Sequence, residues 1–147
     1  MERKYGSLSS CDMFMAMITE LYTALLAIVF FAISLRVILL RRKLKISYGY
    51  GKNLEIIGPV SAHSNFVSYV PFLLIMMFFV ETSSLDISSL ALHILGSAIL
   101  LGRIFHALAL FSQKPAFVFR ILGMQMTLWP MLTLSSLMLW NCYQNWV

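Results

Sequence analysis

The stretch 13–40, MFMAMITELYTALLAIVFFAISLRVILL, decides the fold, and Arg41-Arg42-Lys43 directly after it decides how the fold is placed. An apolar run of this length exceeds the ~20 residues that a helix needs to cross the hydrocarbon core of a bilayer. It also exceeds the ~7–15 residues of a signal-peptide core. No A-x-A cleavage site follows it, so the run reads as a retained membrane helix in spite of Arg3 and Lys4 ahead of it. Its extra length predicts a tilted helix or one that continues into the cytoplasm.

Working outward, apolar spans recur at about 56–80, 90–111 and 117–140. The segment 44–55 between the first two holds Lys45, Ser47-Tyr48-Gly49-Tyr50-Gly51 and Lys52, a composition that predicts irregular structure. The link 81–89 carries Glu81 and Asp86, and the link 112–119 carries Lys114 and Pro115. Pro71 lies inside the second span and Trp129-Pro130 inside the fourth, so both helices can bend there. Trp140, Tyr143 and Trp146 read as an interfacial aromatic belt, with residues 141–147 as a tail.

Composition agrees. The chain is 60% hydrophobic and only 12% charged, where a soluble domain carries about 25% charged residues. Too little polar surface is left to solvate a globule in water. The expectation is one all-α domain, residues 1–147, forming an up-and-down four-helix integral membrane bundle. The net charge of +5 and pI near 9.5 do not point to nucleic acid, because the basic residues flank apolar spans. Topology and anionic lipid headgroups account for them, and membrane lipids are the first expected partners.

Loop 44–55 and the basic triplet before it carry Arg41, Arg42, Lys43, Lys45 and Lys52; the third link region carries Lys114 and Arg120; the second link carries no Lys or Arg. The positive-inside rule therefore places loops one and three in the cytoplasm and both termini outside. Cys11 and Cys142, the two cysteines, then fall on the outer side. They pair if that side is oxidising, or remain two separate thiols. No Cys/His spacing for a metal is present.

Ionisable groups inside a span are functional candidates by default. Arg103 and His106, three apart, share a face of the third helix that Leu110 extends. The plainer reading pairs Arg103 with a carboxylate such as Glu81 or with a backbone carbonyl. Ser61, Asn65 and Ser68 line one side of the second helix, with His63 off that stripe. They form either a ligand site or helix–helix hydrogen bonds. Arg120 in the first turn of the fourth helix makes an anion site or an interfacial anchor. Ala98 and Gly102 permit close helix packing. Glu20, with Thr19 beside it, reads as a partner for a neighbouring helix's polar group. Periodicity thus gives a bundle with a polar pocket near the cytoplasmic leaflet, built from helices two, three and four.

Several stretches together carry a resemblance. They are Arg41-Arg42-Lys43, Ser47-Tyr48-Gly49-Tyr50-Gly51-Lys52-Asn53 and Ala62-His63-Ser64-Asn65-Phe66-Val67-Ser68-Tyr69-Val70-Pro71, followed by Gly102-Arg103-Ile104-Phe105-His106-Ala107 and Arg120-Ile121-Leu122-Gly123. Combined, they resemble the MAPEG family, the membrane-associated proteins in eicosanoid and glutathione metabolism, and its bacterial members in particular. The likeness covers nearly the whole chain. It implies a homotrimer in a bacterial inner membrane, with glutathione held between subunits and reached from the cytoplasm. It implies that Arg103, with Asn65 and His106, contacts glutathione, that His63, Tyr69, Ser61 and Ser68 stand at motif positions lining that site, and that Arg120 holds the thiolate. A cation beside the sulfur raises the thiolate fraction at neutral pH. A lipophilic electrophile or lipid hydroperoxide would arrive through the bilayer.

Three positions depart from the family pattern. Ser61 stands where Arg is usual, Ser68 where Glu is usual, and Leu110 where some members have Tyr. Two functional expectations follow: a glutathione-dependent transferase or peroxidase, or a non-catalytic protein of the same fold that binds a lipid or protein partner. A transporter lacks support, since no inverted repeat is evident.

Overall fold

A computed structural model describes residues 10–51, 53–112 and 117–146, with side chains from residue 18 onward. Arg3, Lys4, Lys52, Lys114, Pro115 and the Cys11 side chain, which enter the charge and cysteine readings, lie outside the described residues. Four helices make up the bundle: α1 (Ser10–Leu44), α2 (Ile57–Glu81), α3 (Ser89–Phe111) and α4 (Phe117–Trp146), with a 3-10 turn, Leu54–Ile56, ahead of α2. All four are long and apolar enough to cross a membrane. In lipid a helix is favoured because it satisfies every backbone N–H and C=O within the segment.

The ends are set by local chemistry. At ~1.5 Å per residue, the 35 residues of α1 reach roughly 50 Å, beyond a hydrocarbon core of ~30 Å. The helix absorbs Arg41, Arg42 and Lys43 into its last turn, where cations face the negative end of the helix dipole. It stops at Lys45, which takes a left-handed backbone (φ 55°). Gly49 and Gly51 also have positive φ, and the Gly49 carbonyl accepts a 3.0 Å hydrogen bond from Arg41 Nη1. The Asn53 side chain caps the 3-10 turn by accepting from Glu55 N, and Ser88 caps α3 by accepting from Ala91 N.

Two boundaries differ from the sequence reading. The expected tail 141–147 is helical as far as Trp146, because it contains neither Pro nor Gly to stop it. Glu81 is not part of a solvated link. It is the last residue of α2, and it is buried, with Oε2 accepting from Thr19 N at 3.1 Å. Pro71 and Pro130 both lie within continuous helix.

The packing leaves α2 and α3 central. Each touches the other and both α1 and α4, while α1 and α4 do not meet among the described residues. Buried positions recur at helical spacing: Ile18, Tyr22, Leu26 and Ile33 on α1; Phe66, Val70, Leu73 and Met77 on α2; Leu92, Gly96, Ile99 and Arg103 on α3; Gly123, Thr127, Pro130 and Leu134 on α4. The opposite faces expose Ile28, Phe31, Phe72, Phe78, Leu108 and Leu132. Lipid is as apolar as leucine, so burying carbon drives nothing here; close approach and buried hydrogen bonds hold the helices together. The α3 and α4 stripes follow that rule where Gly96, Arg103, Gly123 and Thr127 interrupt their apolar residues.

Candidate functional site

The α3–α4 contact places the site. A Cβ built on Gly102 would stand 2.9 Å from the Gly123 carbonyl oxygen, and one on Gly123 would stand 2.7 Å from His106 N. Only glycine allows the two backbones this close, and the closeness puts the α4 backbone within reach of the side chain following Gly102.

That side chain is Arg103, which is 1% exposed. Nη1 donates to Asn65 Oδ1 on α2. Nη2 donates to Thr127 Oγ1 and, at 3.4 Å, to the Gly123 carbonyl, both on α4. Thr127 in turn donates to the Gly123 carbonyl at 2.9 Å. The Tyr69 ring lies 5.7 Å from the guanidinium carbon, within cation–π range. Met124 Sδ touches both Asn65 Nδ2 (3.8 Å) and Arg103 Nη2 (3.9 Å). Three helices thus converge on one guanidinium. Its Nε is buried with no hydrogen-bond partner. Among the described residues the sole ion pair is Lys43–Glu55, so no carboxylate balances Arg103. Glu81, the carboxylate considered for it, is occupied by the α1 backbone instead; the carbonyl of the plainer reading is that of Gly123.

The other sequence candidates divide. His106 is buried one turn beyond Arg103, against the Gly123 backbone. Ser61 is half-buried near the start of α2. His63 turns away from the cluster and stacks on Phe30 of α1, with ring centroids 5.0 Å apart. Ser68 is exposed and donates to the Ser64 carbonyl of its own helix at 2.9 Å, so the stripe read through Ser61, Asn65 and Ser68 does not converge on one point. Arg120 is exposed in the first turn of α4. Leu110 is partly buried against the core. Glu20 is exposed and has no polar partner on a neighbouring helix among the described residues. Cys142 is a free, exposed thiol.

Three features escaped the sequence reading. Thr127 locks Arg103; its signal was the spacing Gly123-x-x-x-Thr127, a second pair of small residues four apart. Arg36, a charged residue within α1, lines a cavity of about 490 Å³ with Glu55, Gly58 and Pro59; its signal was an ionisable residue inside an apolar span. Tyr22 OH bonds His93 Nδ1 (3.2 Å), donates to the His93 carbonyl (3.0 Å) and bonds Ser97 Oγ (2.7 Å), pinning α1 to α3. Only the fold could disclose that pairing.

Four helices long and apolar enough to span a membrane, packed around a buried guanidinium with no carboxylate beside it, define a polytopic membrane protein with a charged, hydrogen-bonded interior. The family model of the MAPEG family matches residues 19–140, and the chain belongs to that family. Over 130 residues it is 29% identical to inner membrane protein YecN of Escherichia coli K12, a match covering 88% of this chain and 95% of the relative. The YecN of E. coli O6:H1 matches to the same extent. The chain is accordingly an integral, multi-pass protein of the bacterial inner membrane. No solved structure matches it.

Proposed function

We propose that the protein is a glutathione-dependent membrane transferase or peroxidase acting on lipophilic electrophiles or lipid hydroperoxides. The observation that carries the reading is the Arg103 guanidinium, buried among α2, α3 and α4 with no carboxylate beside it. A charge taken out of water needs a counter-charge, and the unpartnered Nε leaves a donor for one. The donor set fits a carboxylate-bearing peptide thiol: Arg103 offers the charge, Asn65 and Thr127 hold its plane, and the Tyr69 ring covers one face. Glutathione, when bound, supplies a thiolate nucleophile. Arg120, exposed at the start of α4 where the helix dipole is also positive, favours the deprotonated sulfur. In the single chain Arg120 is exposed and makes no hydrogen bond to the Arg103 cluster among the described residues, and the reading includes a homotrimer in which a neighbouring copy closes the site. Loops one and three face the cytoplasm in this reading, which puts Arg120 on the glutathione-containing side.

A second reading, a non-catalytic protein of the same fold, is favoured by one observation. Both Nη atoms of Arg103 already have partners within the chain, and Ser68 bonds its own helix.

Glutathione titration of the detergent-purified protein, followed by ultraviolet difference absorbance of the thiolate, separates the two. Saturable binding with a thiolate signal at neutral pH supports the first. No binding at millimolar glutathione in a folded oligomer removes it.

A further inference from the structure

We propose that the groove between α1 and α2 is a lipid site that takes one acyl chain beneath an ammonium headgroup, with the Glu20 carboxylate as counter-charge. The groove holds about 650 Å³ and lies away from the Arg103 cluster. Small residues of α1, Ala24 and Ala27, form its floor, and bulky residues of α2, Ile75 and Phe78, form its wall. Thr19 and Ala27 stand two helical turns apart, so the α1 side runs roughly 12 Å. That shape and chemistry suit part of an alkyl chain lying along the helix.

The Glu20 end differs in kind. Glu20 lines the groove and lies within the apolar segment Ile18–Leu44. It is exposed, and no cation stands within ion-pair range of it among the described residues. The neighbouring groove residue Thr19 is 6% exposed, and its hydroxyl has no hydrogen-bond partner. Glu81, bonded to Thr19 N through Oε2, keeps a second buried oxygen without a partner. One end of an apolar groove therefore concentrates carboxylate oxygens and unmet hydrogen-bonding capacity. A carboxylate within an apolar segment is stabilised by a cation beside it, and one carried by a lipid is available there. A phospholipid with a primary ammonium supplies the cation, hydrogen-bond donors and the chain in one molecule. Phosphatidylglycerol supplies the chain with a net negative head, which the same carboxylate repels.

The test is native mass spectrometry of the full chain in detergent, given phosphatidylethanolamine or phosphatidylglycerol with identical acyl chains. Wild type is expected to retain the ethanolamine lipid roughly two- to fivefold better, the range of a partly exposed ion pair. Ala24→Leu and Ala27→Leu, which fill the groove, should abolish that retained lipid. Glu20→Gln should keep the lipid and lose the preference. Equal retention of both lipids by wild type overturns the proposal, as does unchanged binding in the filled variants. A fall in oligomeric mass on filling the groove also overturns it, by showing that a second copy occupies the groove. The outcome is independent of whether glutathione binds.

Discussion

Gly102 and Gly123 face each other across the α3–α4 contact so closely that a Cβ on Gly123 would stand 2.7 Å from the Gly102 carbonyl oxygen. The contact is made by backbone, which cannot swing aside as a side chain would. Gly123→Ala should therefore push the helices apart and destabilise the bundle by about 1–3 kcal/mol, the usual range for overpacking. Because the Gly123 carbonyl also accepts from Arg103 and Thr127, the same change should weaken glutathione binding if the glutathione reading holds. Denaturant titration in detergent reads the first effect, and glutathione titration the second.

Arg103→Lys tests whether the fork matters or only the charge. A lysine ammonium keeps the charge but cannot span Asn65 and Thr127 in one plane. Under the glutathione reading, losing one charge-assisted bond of about 1.5–3 kcal/mol should weaken glutathione binding roughly ten- to a hundredfold. An unchanged affinity would take the planar geometry out of the account.

Thr127→Val keeps the shape and removes the hydroxyl that both accepts from Arg103 and donates to the Gly123 carbonyl. The expected loss is about 0.6–1.7 kcal/mol in stability, the span measured for hydrogen bonds between membrane helices. Thr127→Ser should restore most of the stability and the binding together. Recovery of stability without binding would mean that Thr127 holds the helices but not the guanidinium.

Arg120→Ala should leave the fold intact, since the side chain is exposed. Under the glutathione reading it should drop the bound thiolate fraction at pH 7 to the few per cent of an unassisted thiol. Difference absorbance at saturating glutathione reads that fraction directly. A thiolate signal equal to wild type would remove Arg120 from the chemistry.

Tyr22→Phe deletes the hydroxyl shared with His93 and Ser97 while leaving the ring packed on Gly96. It should lower stability by roughly 0.6–1.7 kcal/mol. Under the glutathione reading, binding should stay at the wild-type level, because the α1–α3 clasp at Ser97 shares no hydrogen-bond partner with Arg103. A parallel loss of binding would show that α1 helps to hold the site.

Much of this is legible in the sequence. Met13–Leu40 announced its helix by length and apolarity alone, and the three later spans did the same within a few residues. Arg103 and Asn65 stood out because charged and amide groups are rare in such spans, and they do meet. His63 stood in the same motif and went elsewhere, onto Phe30. Ser68 shares a nominal stripe with Asn65 but is exposed and bonds its own helix. Glu81 looked like link chemistry and proved to be a buried clasp on Thr19. Thr127 carries only the weak mark of a small residue four after Gly123, which does not say what its hydroxyl bonds.

The division has a physical reason. A membrane helix satisfies its backbone within itself, so hydropathy and length, which are local properties, determined the four spans and the helical class from sequence alone. Which side of each helix meets which neighbour is decided by rotation about the helix axis and by how closely two backbones can approach. Those quantities depend on pairs of distant residues, such as Gly102 with Gly123. Only the tertiary structure brought Thr127 under Arg103 and turned His63 away from it.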